Sequence, residues 1–142
     1  MMTDEQIRLV KRTWIYFRGL DPIYVGDVFY GKIFLDAPEL KNLFHTSRAV
    51  QSAKVVDMLS VIVGHLHIIN ELDEEITQLA KRHVQYGVKA HHYRVVGNAL
   101  LWTLQQGLGR DWNEEVKEAW AACFSILSES MIKASGYSTN VA

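Results

Sequence analysis

The most informative stretch is Asp73–Gly97, which reads DEEITQLAKRHVQYGVKAHHYRVVG. On a helix with about 3.6 residues per turn, one face carries Ile76, Leu79, Ala80 and His83. Lys81 and Arg82 point elsewhere. Gly87 follows four residues later and is a typical residue to end a helix. The pattern therefore predicts an imidazole at the end of an apolar helix face. Such a histidine is either packed and hydrogen-bonded within the core or a ligand, and the pattern alone leaves both open.

The composition is that of one folded, mostly helical domain over residues 1–142. Hydrophobic residues make up 49% of the chain and proline occurs only twice, which argues against a disordered chain. A chain of this length is long enough to bury a sizeable core. The formal net charge of −1 provides no basic surface for nucleic acid.

Cysteine content and hydropathy predict a cytoplasmic protein. Cys123 is the single cysteine, so a disulfide framework is excluded and a reducing compartment fits. The N-terminal residues are polar and charged, unlike a secretory signal. The most apolar stretch, Val55–Ile69, contains Asp57 and two histidines, and is too short and too polar to span a bilayer. We expect no membrane partner.

Start and stop signals divide the chain into six or seven helices. Thr3 with Gln6 forms a capping box, Asp21 precedes a proline at the first helical position, and Asn113 opens the last helix. The other predicted helices run from Pro38 to Phe44, along Val55–Ile69, from Asp73 to Gly87, and from His91 to Gly107, with a surface loop at His45–Val50. No segment has the alternation of a strand, so the fold class is all-α. Periodicity does not distinguish a bundle from other helical packings.

Three segments in a fixed order make the chain resemble a known family. They are DPIYVGDVFYGKIFLDAPELKNLF (residues 21–44), the polar Gln51, and LAKRHVQYGVKAHHYRVVGNALL (residues 79–101), followed by Ala-Trp in the last predicted helix. In this order and spacing they resemble the single-domain bacterial globins and the globin half of flavohaemoglobins, over nearly the whole chain. The resemblance implies a globin fold, with six to eight helices sandwiching one haem.

The resemblance also implies that His83 is the proximal ligand of the iron of haem b, iron protoporphyrin IX. That role requires a neutral imidazole, with one nitrogen on iron and the other N–H oriented by a carbonyl near Leu79. Phe44 matches the family's aromatic that packs flat on the porphyrin, although ordinary core packing also accounts for it. The residues expected to line the proximal side of the porphyrin are Leu79, Val88, Tyr93 and Val96.

On the opposite face of the haem, the matched positions are Tyr30, Gln51 and Val55. A phenol O–H and an amide N–H both donate hydrogen bonds, and each bond to bound dioxygen would contribute about 1–3 kcal/mol, or about 5- to 150-fold in retention. We therefore expect slow oxygen release. The alternatives are a packed Tyr30 whose hydroxyl reaches a carbonyl, and a solvated Gln51.

Other matched positions are less specific. Lys54 or Arg82 is placed to pair with a haem propionate, but a solvated charge fits either residue equally well. Tyr93 matches a tyrosine that pairs with a glutamate in flavohaemoglobins, and Ser135 stands at the glutamate position here. This departure argues against the electron-pushing arrangement of peroxidase-like chemistry. His91 and His92, at the start of a helix, are expected to be solvent-exposed.

The function that the resemblance implies is reversible binding of dioxygen and other diatomic gases such as NO and CO, without enzymatic turnover. The alternative is a nitric oxide dioxygenase, which requires a separate reductase because 142 residues leave no room for flavin and nicotinamide domains. No glycine-rich dinucleotide turn is present either. A haem-free or sensory globin is a third possibility, against which His83 and the polar pair Tyr30 and Gln51 stand.

Overall fold

The helices begin where short polar side chains satisfy their first backbone amides. The hydroxyl of Thr3 accepts the backbone N–H of Gln6 at 3.1 Å, and the Gln6 side chain accepts the backbone N–H of Thr3 at 3.0 Å. Asp21 accepts the amide two residues further on at 3.0 Å, and Asn113 accepts the amide three residues further on at 2.9 Å. These hydrogen bonds confirm the three predicted helix starts. The sequence could predict them because capping depends only on neighbouring residues.

The computed structural model describes residues 2–43, 47–64, 66, 77–78, 80–82, 89 and 91–135. Within these ranges every regular element is helical, which confirms the all-α fold class. The α-helices are α1 (Asp4–Phe17), α2 (Pro22–Asp36), α3 (Arg48–Gly64), α4 (His92–Leu108) and α5 (Glu114–Ser135). Two short 3₁₀-helices, Pro38–Leu43 and Gly109–Asp111, complete the named elements, and residues 77–78 and 80–82 are also helical. None of the helices in the described part is long and apolar enough to cross a membrane.

The predicted surface loop at His45–Val50 is wrong at its C-terminal end, because α3 already begins at Arg48. Ser47 supplies the missing start signal. Its hydroxyl accepts the backbone N–H of Val50 at 3.3 Å, and its carbonyl accepts that of Gln51 at 3.1 Å. Gln51 therefore lies in the first turn of α3. A serine directly before this turn is a typical N-cap that the sequence could have revealed.

Helix α2 packs against both α3 and α4, while α1 packs against α5. A buried hydrogen-bonded pair joins α1 to α5. The indole N–H of Trp120 donates to the hydroxyl of Thr13 at 2.9 Å, and that hydroxyl donates to the carbonyl of Leu9 at 2.7 Å. Trp120 is fully buried, and its ring lies 6.2 Å from that of Trp14. The pair holds together two helices from opposite ends of the chain.

We expect Thr13→Val to lower the free energy of unfolding by about 1–3 kcal/mol, because the buried Trp120 N–H would lose its acceptor. Thermal or urea unfolding of the purified protein measures the loss. Thr103→Val is the matched control: Thr103 is also buried and donates to the carbonyl four residues back at 2.7 Å. Among the described residues its hydroxyl accepts no bond from another helix. Equal losses in the two variants would contradict a specific contribution from the bond to Trp120.

Candidate functional site

The two helices that carry the predicted hydrogen-bond donors cross where Gly26 of α2 meets Ser52 of α3. A Cβ added to Gly26 would overlap the Ser52 Oγ and lie 2.5 Å from the Ser52 Cβ. Ser52 is 1% exposed, so this crossing is in the interior. Tyr30 lies one turn after Gly26, and Gln51 directly precedes Ser52. The absence of a side chain at Gly26 therefore brings the segments of both predicted donors together.

Tyr30 is held among aromatic rings in the interior. It is 2% exposed, and its ring lies 4.9 Å from that of Phe29 in an edge-to-face arrangement and 6.1 Å from the stacked ring of Phe34. A hydrogen bond from a phenol in such a low-dielectric environment is stronger than one exposed to water. A distal hydrogen-bond donor requires a buried phenol of this kind. A tyrosine that is simply packed in the core is buried to the same extent, so burial fits both interpretations of Tyr30.

Gln51 is half-buried in the first turn of α3, and both its distal role and the alternative of a solvated surface amide stay predictions. Lys54, one turn further on, is exposed, as expected for either a solvated charge or a pair with a group at the rim of a pocket. Val55 belongs to α3, and its side chain is outside the described part of the structure. Tyr30 and Gln51 thus lie on adjacent helices, which is the arrangement that the distal assignment needs.

The proximal assignments are only partly within the described residues. Tyr93 and Val96 lie on α4, are half-buried and pack against the hydrophobic core; the phenolic oxygen of Tyr93 is buried. The four predicted site residues that lie outside the described residues are Phe44, Leu79, His83 and Val88. Their roles stay predictions.

The helical residues before His83 have the predicted orientation. Ala80 is fully buried, whereas Lys81 and Arg82 are exposed. The sequence pattern places Ala80 on the same face as His83 and the two basic residues elsewhere. This part of the prediction is confirmed.

The expectation that both histidines at the start of α4 are solvent-exposed is wrong for His92. His91 is exposed, but His92 is 7% exposed, and its Nδ1 accepts the backbone N–H of Lys89 at 3.0 Å. Burial lowers the pKa of His92 from its ordinary 6.5, and the nearby charge of His91 lowers it further. The signal was present in the sequence, because His92 is four residues before Val96 on the inner face of α4.

The described part of the site fits a haem pocket by the chemistry of its donors. The buried phenol of Tyr30 on α2 and the carboxamide of half-buried Gln51 on α3 are carried by adjacent helices, and half-buried residues of α4 pack against the same core. Pockets that bind cofactors are mostly apolar and contain a few placed polar groups. The arrangement can surround an apolar ring and donate hydrogen bonds to a small polar ligand beside it.

The chain belongs to the globin family: its residues 27–131 match the family model described as Globin. Globins bind haem, and at this level the family supports a haem-binding protein. The flavohemoprotein of Vibrio cholerae is 27% identical over 139 residues, which are 96% of this chain and 35% of that protein. The chain thus spans about a third of the length of such flavohemoproteins. Neuroglobin-1 of Oncorhynchus mykiss is 26% identical over 92% of this chain and 90% of its own length.

Solved structures confirm the globin fold. A bacterial globin from Campylobacter jejuni has a TM-score of 0.81 at 22% identity, with 94% of this chain and 96% of that chain covered. An engineered carbene transferase and candidate nitric oxide dioxygenase from Rhodothermus marinus has a TM-score of 0.84 at 20% identity, with 95% and 94% covered. At these identities the likeness concerns the fold.

Proposed function

We propose that residues 1–142 form a single globin domain that holds haem b through His83 and reversibly binds dioxygen and other diatomic gases. In this proposal Tyr30 and Gln51 donate hydrogen bonds to the bound gas. The observation that carries it is the buried phenol of Tyr30, 2% exposed on α2, one turn from the Gly26–Ser52 crossing that brings α3 alongside. Family membership supports the haem.

Bound haem would be held by His83 and would supply an iron atom able to bind a diatomic gas. His83 acts as a neutral imidazole whose second nitrogen donates to a backbone carbonyl near Leu79. Phe44, Leu79, Val88, Tyr93 and Val96 provide apolar surface for the porphyrin, and Val55 lies on the gas-binding side. Lys54, which is exposed, neutralises a propionate at the rim.

The donors Tyr30 and Gln51 act on the charge distribution of the ligand. A gas that carries partial negative charge is a better hydrogen-bond acceptor, and the buried phenol of Tyr30 would donate to it in a low-dielectric environment. Each bond contributes about 1–3 kcal/mol to retention. Slow release suits a protein that scavenges a gas or reacts with it.

The proposal includes a cytoplasmic location, with no nucleic acid or membrane as a partner. The single cysteine supports it, because one cysteine cannot form a disulfide within the chain and disulfides are typical of oxidising compartments. Cys123 is buried in α5, and burial raises the pKa of its thiol to about 12, so the thiol is unreactive.

We expect Tyr30→Phe and Gln51→Leu each to raise the dioxygen dissociation rate, by about 5- to 150-fold. The rate is measured by stopped-flow displacement of dioxygen with CO. Tyr24→Phe is the matched control, because Tyr24 lies on the same helix and is 49% exposed. Unchanged rates in both variants would contradict the distal role, whereas an effect in Tyr24→Phe would indicate a general loss of structure.

A nitric oxide dioxygenase is the second candidate, favoured by the likeness to flavohemoproteins over 96% of this chain. Turnover then also requires a reductase. Steady consumption of nitric oxide by the haem-loaded protein with a cellular reductant would support the enzyme. A single stoichiometric burst that ends with ferric protein would support gas binding alone.

A further inference from the structure

We propose that neutral His92 is a positioning residue for the haem site. Two hydrogen bonds between Lys89 and His92, together called the clasp, hold residue 89 at the start of α4. Protonation of His92 breaks one of these bonds and weakens the binding of haem. The clasp itself stands on contacts in the structure. Its effect on haem rests on the proposed function, and in particular on His83 as the iron ligand.

The clasp consists of two reciprocal hydrogen bonds between Lys89 and His92. The backbone N–H of Lys89 donates to the His92 Nδ1 at 3.0 Å, and the backbone N–H of His92 donates to the Lys89 carbonyl at 3.0 Å. One bond thus uses the side chain of His92 and the other its backbone. The pair resembles a helix capping box, in which a side chain and the backbone satisfy each other's groups.

The side-chain bond exists in only one protonation state of the ring. Because Nδ1 accepts a hydrogen bond, the neutral imidazole of His92 carries its own proton on Nε2. When the ring gains a second proton, Nδ1 becomes a donor and faces another donor, the N–H of Lys89. Protonation therefore removes the side-chain bond and leaves the backbone bond in place.

The surroundings keep His92 neutral near pH 7. Burial is the main cause that lowers its pKa below 6.5; the imidazole of His91, with ring centroids 4.3 Å apart, and Lys89 lower it further. Glu39, on the 3₁₀-helix Pro38–Leu43, acts in the opposite direction and raises it. Because an unfolded chain gains this proton at higher pH than the folded one, the stability contributed by neutral His92 is complete above pH 6.5 and declines as the pH falls.

The clasp joins the two segments that carry the proximal assignments. Lys89 follows His83 by six positions in the sequence, and Tyr93 and Val96, proposed to line the porphyrin, follow His92 on α4. With the clasp intact, His83 would move little relative to α4, which lies beside the porphyrin in this proposal. With the side-chain bond of the clasp broken, His83 would be held less firmly and haem would dissociate faster.

The test compares His92→Gln with His92→Leu in the haem-loaded protein. Glutamine has an amide oxygen that accepts the Lys89 N–H at every pH, whereas leucine has no acceptor. Transfer of haem to an excess of apomyoglobin measures the dissociation rate between about pH 8 and about pH 5. We expect acidification to raise the haem dissociation rate of wild type by a factor about 10 times larger than the factor for His92→Gln. The dissociation rate of His92→Leu should be high at every pH.

His91→Gln is the matched control, since it removes an exposed neighbouring imidazole and leaves the clasp intact. The acid-dependent rise should persist in this variant, with its midpoint shifted to higher pH, because one of the groups that lowers the pKa of His92 is gone. The same pH dependence in wild type and His92→Gln would overturn the proposal.

A second readout does not depend on haem. Nitrogen-15 NMR measures how far hydrogen exchange of the Lys89 amide is slowed relative to its intrinsic rate at the same pH. This protection should be equal in wild type and His92→Gln at neutral pH, and smaller in wild type than in His92→Gln in acid. Equal exchange in wild type and His92→Leu at neutral pH would overturn the clasp. A chain that fails to take up haem, yet shows the expected exchange, would overturn the proposed function and the haem effect while confirming the clasp.

Discussion

The variant His83→Ala should lose specific haem binding, with an affinity lower by more than about 100-fold. The estimate is a lower bound, because changing even the partners that orient a metal ligand costs about 10- to 100-fold. Without the imidazole, only apolar contacts with the porphyrin and charge pairs with its propionates remain. Titration of the apoprotein with haemin, followed by the Soret absorbance, measures the affinity.

Two controls separate the loss of a ligand from the loss of structure. His91→Ala removes an exposed imidazole and should leave the titration unchanged. Added free imidazole should restore haem binding to His83→Ala if the variant keeps its fold. Retention of haem by His83→Ala with an unaltered spectrum would mean that another residue binds the iron.

The second large effect is expected for Gly26→Ala. The new Cβ would overlap the Oγ of Ser52 and lie 2.5 Å from its Cβ and 3.3 Å from its Cα, so rotation of the serine side chain alone does not make room. Helices α2 and α3 must move apart, and overpacking of this kind costs about 1–3 kcal/mol. Urea unfolding measures the loss. Faster dioxygen release should accompany it, because Tyr30 and Gln51 flank the crossing.

Gly31→Ala is the matched control on the same helix. A Cβ at Gly31 meets nothing within 4 Å, so this variant should gain about 0.5–1 kcal/mol from reduced backbone entropy in the unfolded chain. The double variant Gly26→Ala with Ser52→Gly removes both clashing serine atoms and should recover part of the lost stability. Equal stabilities of Gly26→Ala and Gly31→Ala would contradict a tight crossing.

The helix starts and the inner faces of the helices could be predicted because they depend on neighbouring residues. Thr3, Asp21 and Asn113 each cap a helix through an amide two or three positions away. The orientation of Ala80 and Lys81 likewise follows from helical spacing. The globin fold itself required the order of several motifs, since periodicity is shared by all helical packings.

The features that were not predicted depend on contacts between segments far apart in the sequence. The bond from Trp120 to Thr13 joins residues 107 positions apart. Gly26 has no local requirement for glycine that the sequence shows, and its importance appears only where α3 crosses α2. The burial of His92 depends on the packing of α4, although its spacing to Val96 offered a hint. Local patterns therefore gave the helices, and tertiary contacts determined the arrangement of the site.

The most direct test of a haem-binding globin is the absorption spectrum of the purified protein with one equivalent of haemin, before and after reduction and addition of CO. We predict a protein-bound Soret band at one haem per chain, which shifts when the ferrous protein binds CO and remains with the protein during gel filtration. Haemin that separates from the protein on the column, with no Soret shift attributable to the chain, would contradict this assignment.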